Sequence, residues 1–457
     1  MSNDQSRRAF LKRSAALSVA ASAAPFATNL ATIGEAAASV ASDYKALVCV
    51  FLYGGNDFAN TLIPYDSATY NRYQSLRPNL ALARESLAST ILAPTAALPD
   101  GVQYALAPTL SKLLPLFNSG KMASVLNVGT LIQPTTKAQY QAASIPLPPK
   151  LFSHNDQAAF WQTATTAEGG TSGWGGRMGD LFEAGNGNAT FTCINATGNV
   201  VFLSGKSVSE YSIGPNGPIA LNDNTSDLFG SVTARSILRT TLTSPRNHIF
   251  ESDHSRLTSR SLNAFSQVAS AFGIAPTIST YFDLHNDLAK QLRMVARLIS
   301  VGQQLGVKRQ VFFVAQDGHD LHSDLASRQP LLLGSLADAV KSFYDATVEL
   351  GVSDKVTTFT ASDFGRAIVN NDDGADHGWG GTHFVLGGAV KGRQIYGTSP
   401  IYANNGPDDV GQGRLLPSIS VDQYAATLAS WFGVSDSQMA TVLPSINNFN
   451  SRNIGFL

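Results

Sequence analysis

The sequence is short of charge, of cysteine and of long apolar runs. Asp, Glu, Lys and Arg make up 14% of 457 residues, against roughly 25% in an ordinary soluble domain. The 32 basic and 33 acidic residues leave a formal net charge of −1. No positive field is available to neutralise a phosphate backbone, so nucleic acid is excluded as an expected partner. Two cysteines, Cys49 and Cys193, exclude a disulfide scaffold. Cys49 lies within the apolar run Leu47-Val48-Cys49-Val50-Phe51-Leu52, where a free buried thiol is the ordinary outcome. Beyond the N-terminus no segment approaches the ~18 apolar residues of a membrane span, so none is expected in the mature chain.

Two familiar catalytic signatures are also missing. The glycine-rich segment Gly169-Gly170-Thr171-Ser172-Gly173-Trp174-Gly175-Gly176-Arg177 lacks the Gly-Lys-Ser/Thr ending of a phosphate loop and reads as a tight turn. No Gly-x-Ser-x-Gly elbow is present, which argues against an α/β-hydrolase esterase.

What is there begins with an export signal. Ser6-Arg7-Arg8-Ala9-Phe10-Leu11-Lys12 precedes a weakly apolar, alanine-rich stretch from Ser14 to Phe26 and small residues from Ala36 to Ala41. This is the pattern of a twin-arginine signal peptide over residues 1–42, implying a periplasmic or extracellular protein. That route carries folded proteins, compatible with metal loading before export. Residues 43–457 exceed the roughly 250–300 at which a single core stops growing. One principal domain with insertions is expected, and 44% hydrophobic residues are ample for its core.

Five apolar runs predict strands: Lys45 to Tyr53, Ala123 to Val128, Gln310 to Ala315, Val356 to Ala361 and His383 to Leu386. Helical spacing between Leu288 and Leu305, and between Leu325 and Leu350, separates several of them. Ser420 before Val421 to Gly433 predicts a capped C-terminal packing helix. The alternation predicts an α/β fold, a largely parallel sheet sandwiched by helices, with ligands at the carboxyl ends of the strands. A Ser-, Thr-, Asn- and Gly-rich stretch over about 185–261 reads as an inserted or peripheral β/loop region.

Polar clusters follow the strand runs. They are Gly54-Gly55-Asn56-Asp57, Ser153-His154-Asn155-Asp156, Asp317-Gly318-His319-Asp320-Leu321-His322, Ser362-Asp363-Phe364-Gly365-Arg366 and Asp376-His377-Gly378. Five of the 8 histidines, His154, His319, His322, His377 and His383, fall in these segments. Asp and neutral His are oxygen and nitrogen ligands suited to zinc, manganese or iron, so convergence of these ends would build a metal site. Ser153 at a helix N-terminus is a candidate nucleophile and equally a candidate cap. Arg366 has the bidentate geometry for a tetrahedral anion, and could equally pair with an acid in the Asn370 to Asp376 loop.

Taken in order, these motifs resemble a large bacterial family of unknown function, number 1501, commonly exported by the twin-arginine route and grouped with the alkaline phosphatase, sulfatase and phosphopentomutase superfamily. The resemblance implies an alkaline-phosphatase-like fold with one or two divalent ions, zinc or manganese. It further implies that Asp57 and Asp363 are carboxylates of one metal site, Ser153 the bridging nucleophile, and Asp320, His322 and His377 the ligands of the other. The superfamily usually has Asp-His at the fourth strand end, where this chain has Asp363-Phe364. His154 and His383 are the candidates for the missing nitrogen. The family also often has Phe after Ser-His, where Asn155 stands here.

The expected function is metal-dependent hydrolysis of a small anionic ester, phosphate or sulfate, with Ser153 or a metal-bound water attacking. The alternative is a secreted, non-catalytic binding or assembly protein that keeps the fold and engages a protein partner.

Overall fold

The computed structural model describes residues 44–167, 169–198, 200–220 and 227–457. The signal segment assigned to residues 1–42 lies outside the described residues.

Eleven strands are described: β1 Lys45–Leu52, β2 Leu62–Pro64, β3 Tyr104–Leu106, β4 Met122–Gly129, β5 Cys193–Asn195, β6 Tyr211–Ser212, β7 Arg309–Gln316, β8 Val356–Ser362, β9 Gly381–Gly387, β10 Gln394–Tyr396 and β11 Ile419–Ser420. Nine form one sheet in the order β10-β4-β9-β8-β1-β7-β5-β6, with β11 beside β4, while β2 and β3 make a separate hairpin. At the centre, β1 pairs in parallel with both β7 and β8, so that Leu52 stands opposite Gln316 and Ser362. Its apolar run is continuous because both faces are covered. Ala46, Val48, Val50 and Leu52 enter one core, and Leu47, Cys49 and Phe51 the other. Each fully buried large apolar side chain contributes about 1.5–3 kcal/mol, which commits this segment to the middle of the sheet.

One core is covered by α6 (Asp287–Ser300) and α7 (Leu325–Glu349). The other is covered by α2 (His154–Thr163), α3 (Trp174–Phe182) and α8 (Val421–Phe432). The predicted C-terminal cap is present in full: Ser420 accepts from Gln423 N, Gln423 answers the Ser420 N–H, and Gly433 ends α8 at φ 123°. A short helix, α1 (Ser67–Leu76), carries the chain from β2 toward the buried Arg77. Cys49 and Cys193 are buried free thiols.

Two details depart from the sequence reading. The fifth run, β9, is antiparallel to both β4 and β8. The connection from Asp363 to Gly380 contains no helix, and a parallel return normally needs one. The β9 strand therefore starts, rather than ends, at the rim where β8 finishes. The stretch around 185–261 has short strands and turns only in its first half. Beyond it run two helices, α4 (Val232–Thr243) and α5 (Ile249–Gly273). These helices bury little, and their large apolar residues Val232, Ile237, Ile249, Phe250 and Leu257 are exposed. No helix among the described residues is long and apolar enough to cross a membrane.

Candidate metal centre

The strand ends converge. His154 at the start of α2, Asp320 and His322 in the loop after β7, and His377 in the loop before β9 each offer a ligand atom, all within 4.8 Å of one another. The Nε2 atoms of His322 and His377 are 2.8 Å apart, and Asp320 Oδ1 lies 3.3 Å from His322 Nε2, 3.4 Å from His154 Nε2 and 3.9 Å from His377 Nε2. Ligands of a tetrahedral ion bound at ~2.0–2.1 Å stand about 3.3 Å apart, so the four atoms span one such ion.

Each imidazole is oriented from behind. Nδ1 of His154 meets Asp363 Oδ2 at 2.7 Å, Nδ1 of His377 meets the Phe152 carbonyl at 2.7 Å, and Nδ1 of His322 meets Asp376 Oδ1 at 3.3 Å. An oxygen acceptor at Nδ1 holds the proton there and leaves Nε2 as a lone pair facing the centre, the arrangement of metal-ligating histidines. His154 Nε2 is buried and has no hydrogen-bond partner. The Phe152 carbonyl is presented by a non-glycine residue at φ 71°, a conformation that costs on the order of 1–3 kcal/mol.

Electrostatics follow from these contacts. The hydrogen bond to Asp363 raises the His154 pKa above the usual histidine range, against the opposing effect of burial. Burial lowers that of His377, helped by the neighbouring His154, His322 and Arg366. Burial alone would push Asp320 up, but the Arg366 hydrogen bond and the nearby cations bring its carboxyl below the ordinary range.

Arg366 is fully occupied. Nε donates to the carbonyls of Gly55 and His319, Nη2 to Gly54 and to Asp320 Oδ1, and Nη1 to Ala375. Its side chain is buried. The acid it meets is Asp320, in the loop after β7, rather than one in the Asn370 to Asp376 loop, where it reaches only the Ala375 carbonyl, and Arg366 ties the β1, β7 and β8 ends together rather than facing an anion. Gly54 permits this crossing: at φ 110°, a Cβ there would lie 2.3 Å from Asp320 N.

The remaining predicted residues separate. Asp363 sits behind His154 and accepts from Gly54 N at 3.0 Å, with its Oδ1 buried and unpartnered. Asp57 forms a buried ion pair with Arg77 at 2.8 Å, and its Oδ2 is likewise unpartnered. Ser153 occupies the N-cap position of α2 but makes no side-chain cap bond. Its hydroxyl donates to Asp156 Oδ2 at 2.6 Å. His383 lies in the core, against Trp161 and Tyr424, and joins no cluster. Of the two histidines offered for the missing nitrogen, His154 is the one brought to the site. Phe364 stacks against His154 and His377 at 4.8 and 4.9 Å.

The sequence reading assigned no role to Asp376, Phe152 or Arg77. Asp376 stood inside a quoted motif, whereas Arg77 carries no local signal because its partner lies across an intervening helix.

An α/β sheet whose carboxyl-end loops gather three histidines and an aspartate defines a protein with a candidate single-ion centre. The chain belongs to the family described as protein of unknown function (DUF1501), whose model matches residues 44–442. No curated protein matches it. Among solved structures, Ps i-CgsB aligns at 11% identity and a TM-score of 0.34, covering 90% of this chain and 78% of that one. The PsFucS1 sulfatase from Pseudoalteromonas sp. aligns at 11% identity and 0.33, covering 93% and 74%. A Bacteroides thetaiotaomicron protein from the metabolism of multiple glycosaminoglycans aligns at 9% and 0.32, covering 87% and 74%. Superpositions this loose carry no weight for function.

Proposed function

We propose that the chain is an exported, metal-dependent hydrolase of phosphate or sulfate esters with an alkaline-phosphatase-like arrangement of strand-end ligands. The observation that carries this reading is the convergence of three Nε2 lone pairs and the Asp320 carboxylate, each imidazole being fixed through Nδ1. Export rests on the twin-arginine sequence.

His154, Asp320, His322 and His377 would hold one divalent ion, and the nitrogen-rich donor set favours zinc, with manganese next. Such an ion supplies Lewis-acid stabilisation of charge on the oxygens of a tetrahedral ester. Asp57 Oδ2 and Asp363 Oδ1 are buried oxygens without a hydrogen-bond partner that could face a second ion, and Arg77 already neutralises Asp57.

Ser153 directly precedes the ligand His154. Asp156 holds its hydroxyl proton, and the N-terminus of α2 favours negative charge on its oxygen. Ser153, or a water taking its place, is the nucleophile of this reading. The test is metal analysis of the purified protein together with turnover of 4-nitrophenyl phosphate and 4-nitrophenyl sulfate, comparing wild type with His322→Ala and Ser153→Ala. One bound ion and turnover abolished by His322→Ala support the reading. A metal-free protein, or turnover indifferent to His322→Ala, defeats it.

The second reading, a non-catalytic assembly protein, is favoured by a separate feature. Phe229, Val232, Ile237, Ile249, Phe250 and Leu257 are all exposed on or beside α4 and α5, an unusual concentration of apolar surface suited to a protein partner. Metal bound without turnover across a panel of esters would favour it.

A further inference from the structure

A cleft of about 550 Å³ opens at the carboxyl ends of β1, β5, β6 and β7, the rim of the sheet that also carries the metal centre. Tyr53 and Asp317 form its near edge. Gly54, next to Tyr53, donates to the Asp363 carboxylate that orients His154. Asp317 is three residues from the ligand Asp320, so their Cα atoms are no more than about 10–11 Å apart. The far wall comes from the inserted region, through Thr197 after β5 and Asn216 after β6, and from Asp287 and Lys290 on α6.

The lining decides what fits. Its charged groups among the described residues are two aspartates and one lysine, and Lys290 Nζ is already bonded to Asp287 Oδ1 at 2.7 Å. A second anionic group would meet net negative charge there. Apart from Tyr53 no aromatic ring among the described residues lines the cleft, and its other apolar residues are small, Val200 being the largest aliphatic, so it has little to grip an aryl or lipid tail. Tyr53 itself is held by Phe51, 4.5 Å between ring centroids, and by Gln162 on α2. What remains is a mixed set of donors and acceptors on amide, hydroxyl, carboxylate and ammonium groups, a match for a ligand whose own groups both donate and accept.

We infer that this cleft takes the alcohol half of the ester, and that this half is an uncharged, polyhydroxylated group of the sugar class. The assignment rests on the hydrolase reading for its link to catalysis, and on the cleft alone for its ligand. It gives the inserted region a function, since Thr197 and Asn216 set which alcohol is accepted while the metal ligands lie on other loops.

The experiment separates the two layers. Ligand-observed NMR with glucose, galactose, mannose, lactose, maltose and cellobiose, on full-length protein with and without added zinc, reads the cleft without catalysis. At least one sugar is expected to bind whether or not metal is present. Asn216→Trp, which fills the cleft, and Lys290→Ala are each expected to weaken that binding by at least about tenfold. In the metal-loaded enzyme, Asn216→Trp should raise KM for the phosphate or sulfate ester of the bound sugar by at least about tenfold, and an unchanged KM counts against the inference. No sugar binding across the panel, or binding indifferent to both variants, overturns the inference even if aryl esters are hydrolysed. Sugar binding that both variants abolish, in a protein that cleaves no ester, upholds the cleft assignment and defeats the hydrolase reading instead.

Discussion

The Nε2 atoms of His322 and His377 face each other at 2.8 Å while both Nδ1 atoms are turned to oxygen. Two lone pairs repel at that separation, and a shared cation or proton relieves the repulsion. Zinc binding is accordingly expected at one equivalent per chain, measured by elemental analysis after dialysis. His322→Ala and His377→Ala should each abolish stoichiometric binding, whereas His383→Gln should retain it. Two equivalents in wild type, with Asp57→Asn reducing them to one, would show instead that the unpartnered carboxylate oxygens hold a second ion.

Asp363 acts through His154. Replacing it with Asn removes the charge that fixes the imidazole, and outer-shell losses of this type lower metal affinity by about 10–100-fold. Competition with a chromogenic chelator measures this directly. The expected outcome is weakened binding with an unchanged stoichiometry, and wild-type affinity would show that the His154 orientation is set elsewhere.

Phe364 fills the space between Gly55, His154 and His377; a Cβ added to Gly55 would meet its ring at 2.2 Å. Phe364→Ala should cost about 3–5 kcal/mol through the cavity it opens, seen as a lower midpoint in urea. It should also loosen the two imidazoles, so that metal affinity falls alongside stability.

Arg77 and Asp57 form an ion pair whose side chains are both wholly inaccessible to solvent. Removing one partner strands a buried charge, so Arg77→Met is expected to destabilise by about 3–5 kcal/mol. The double variant Arg77→Met/Asp57→Leu should recover much of that loss, because neither charge is left. Equal losses in the single and double variants would count against a purely electrostatic origin.

Burial lowers the His383 pKa from the usual 6.5 to about 3. The unfolded chain therefore takes up this proton first. The contribution to stability is complete well above pH 6.5 and is lost as pH falls from there toward 3, by roughly 3 kcal/mol at pH 4. In the presence of chelator, which removes metal-linked protonation, His383→Gln should flatten the fall in Tm between pH 6.5 and 4. An unchanged slope would assign the acid sensitivity to other groups.

How much of this was legible beforehand depends on the length over which each signal is written. The runs at β1, β4, β7, β8 and β9 were found within a residue or two because continuous apolarity is a local consequence of burial on both faces. The direction of β9 was not, since an antiparallel return depends on the loop before it. Ser420 and Gly433 were readable as caps because a cap bonds its own next turn. Arg366 was equally suited to an anion or an acid until five partners from three loops closed on it. His154 and His383 had the same composition signal, and only their positions separated a ligand from a core residue.

By itself, then, the sequence determined the central strands, their covering helices and the set of polar residues available at one rim, because each is encoded in neighbours along the chain. Tertiary structure alone decided that His154 joins Asp320, His322 and His377 while Asp57 is claimed by Arg77. Such choices turn on distances of a few ångströms between residues that are not neighbours along the chain, fixed by strand order and packing rather than by any local pattern.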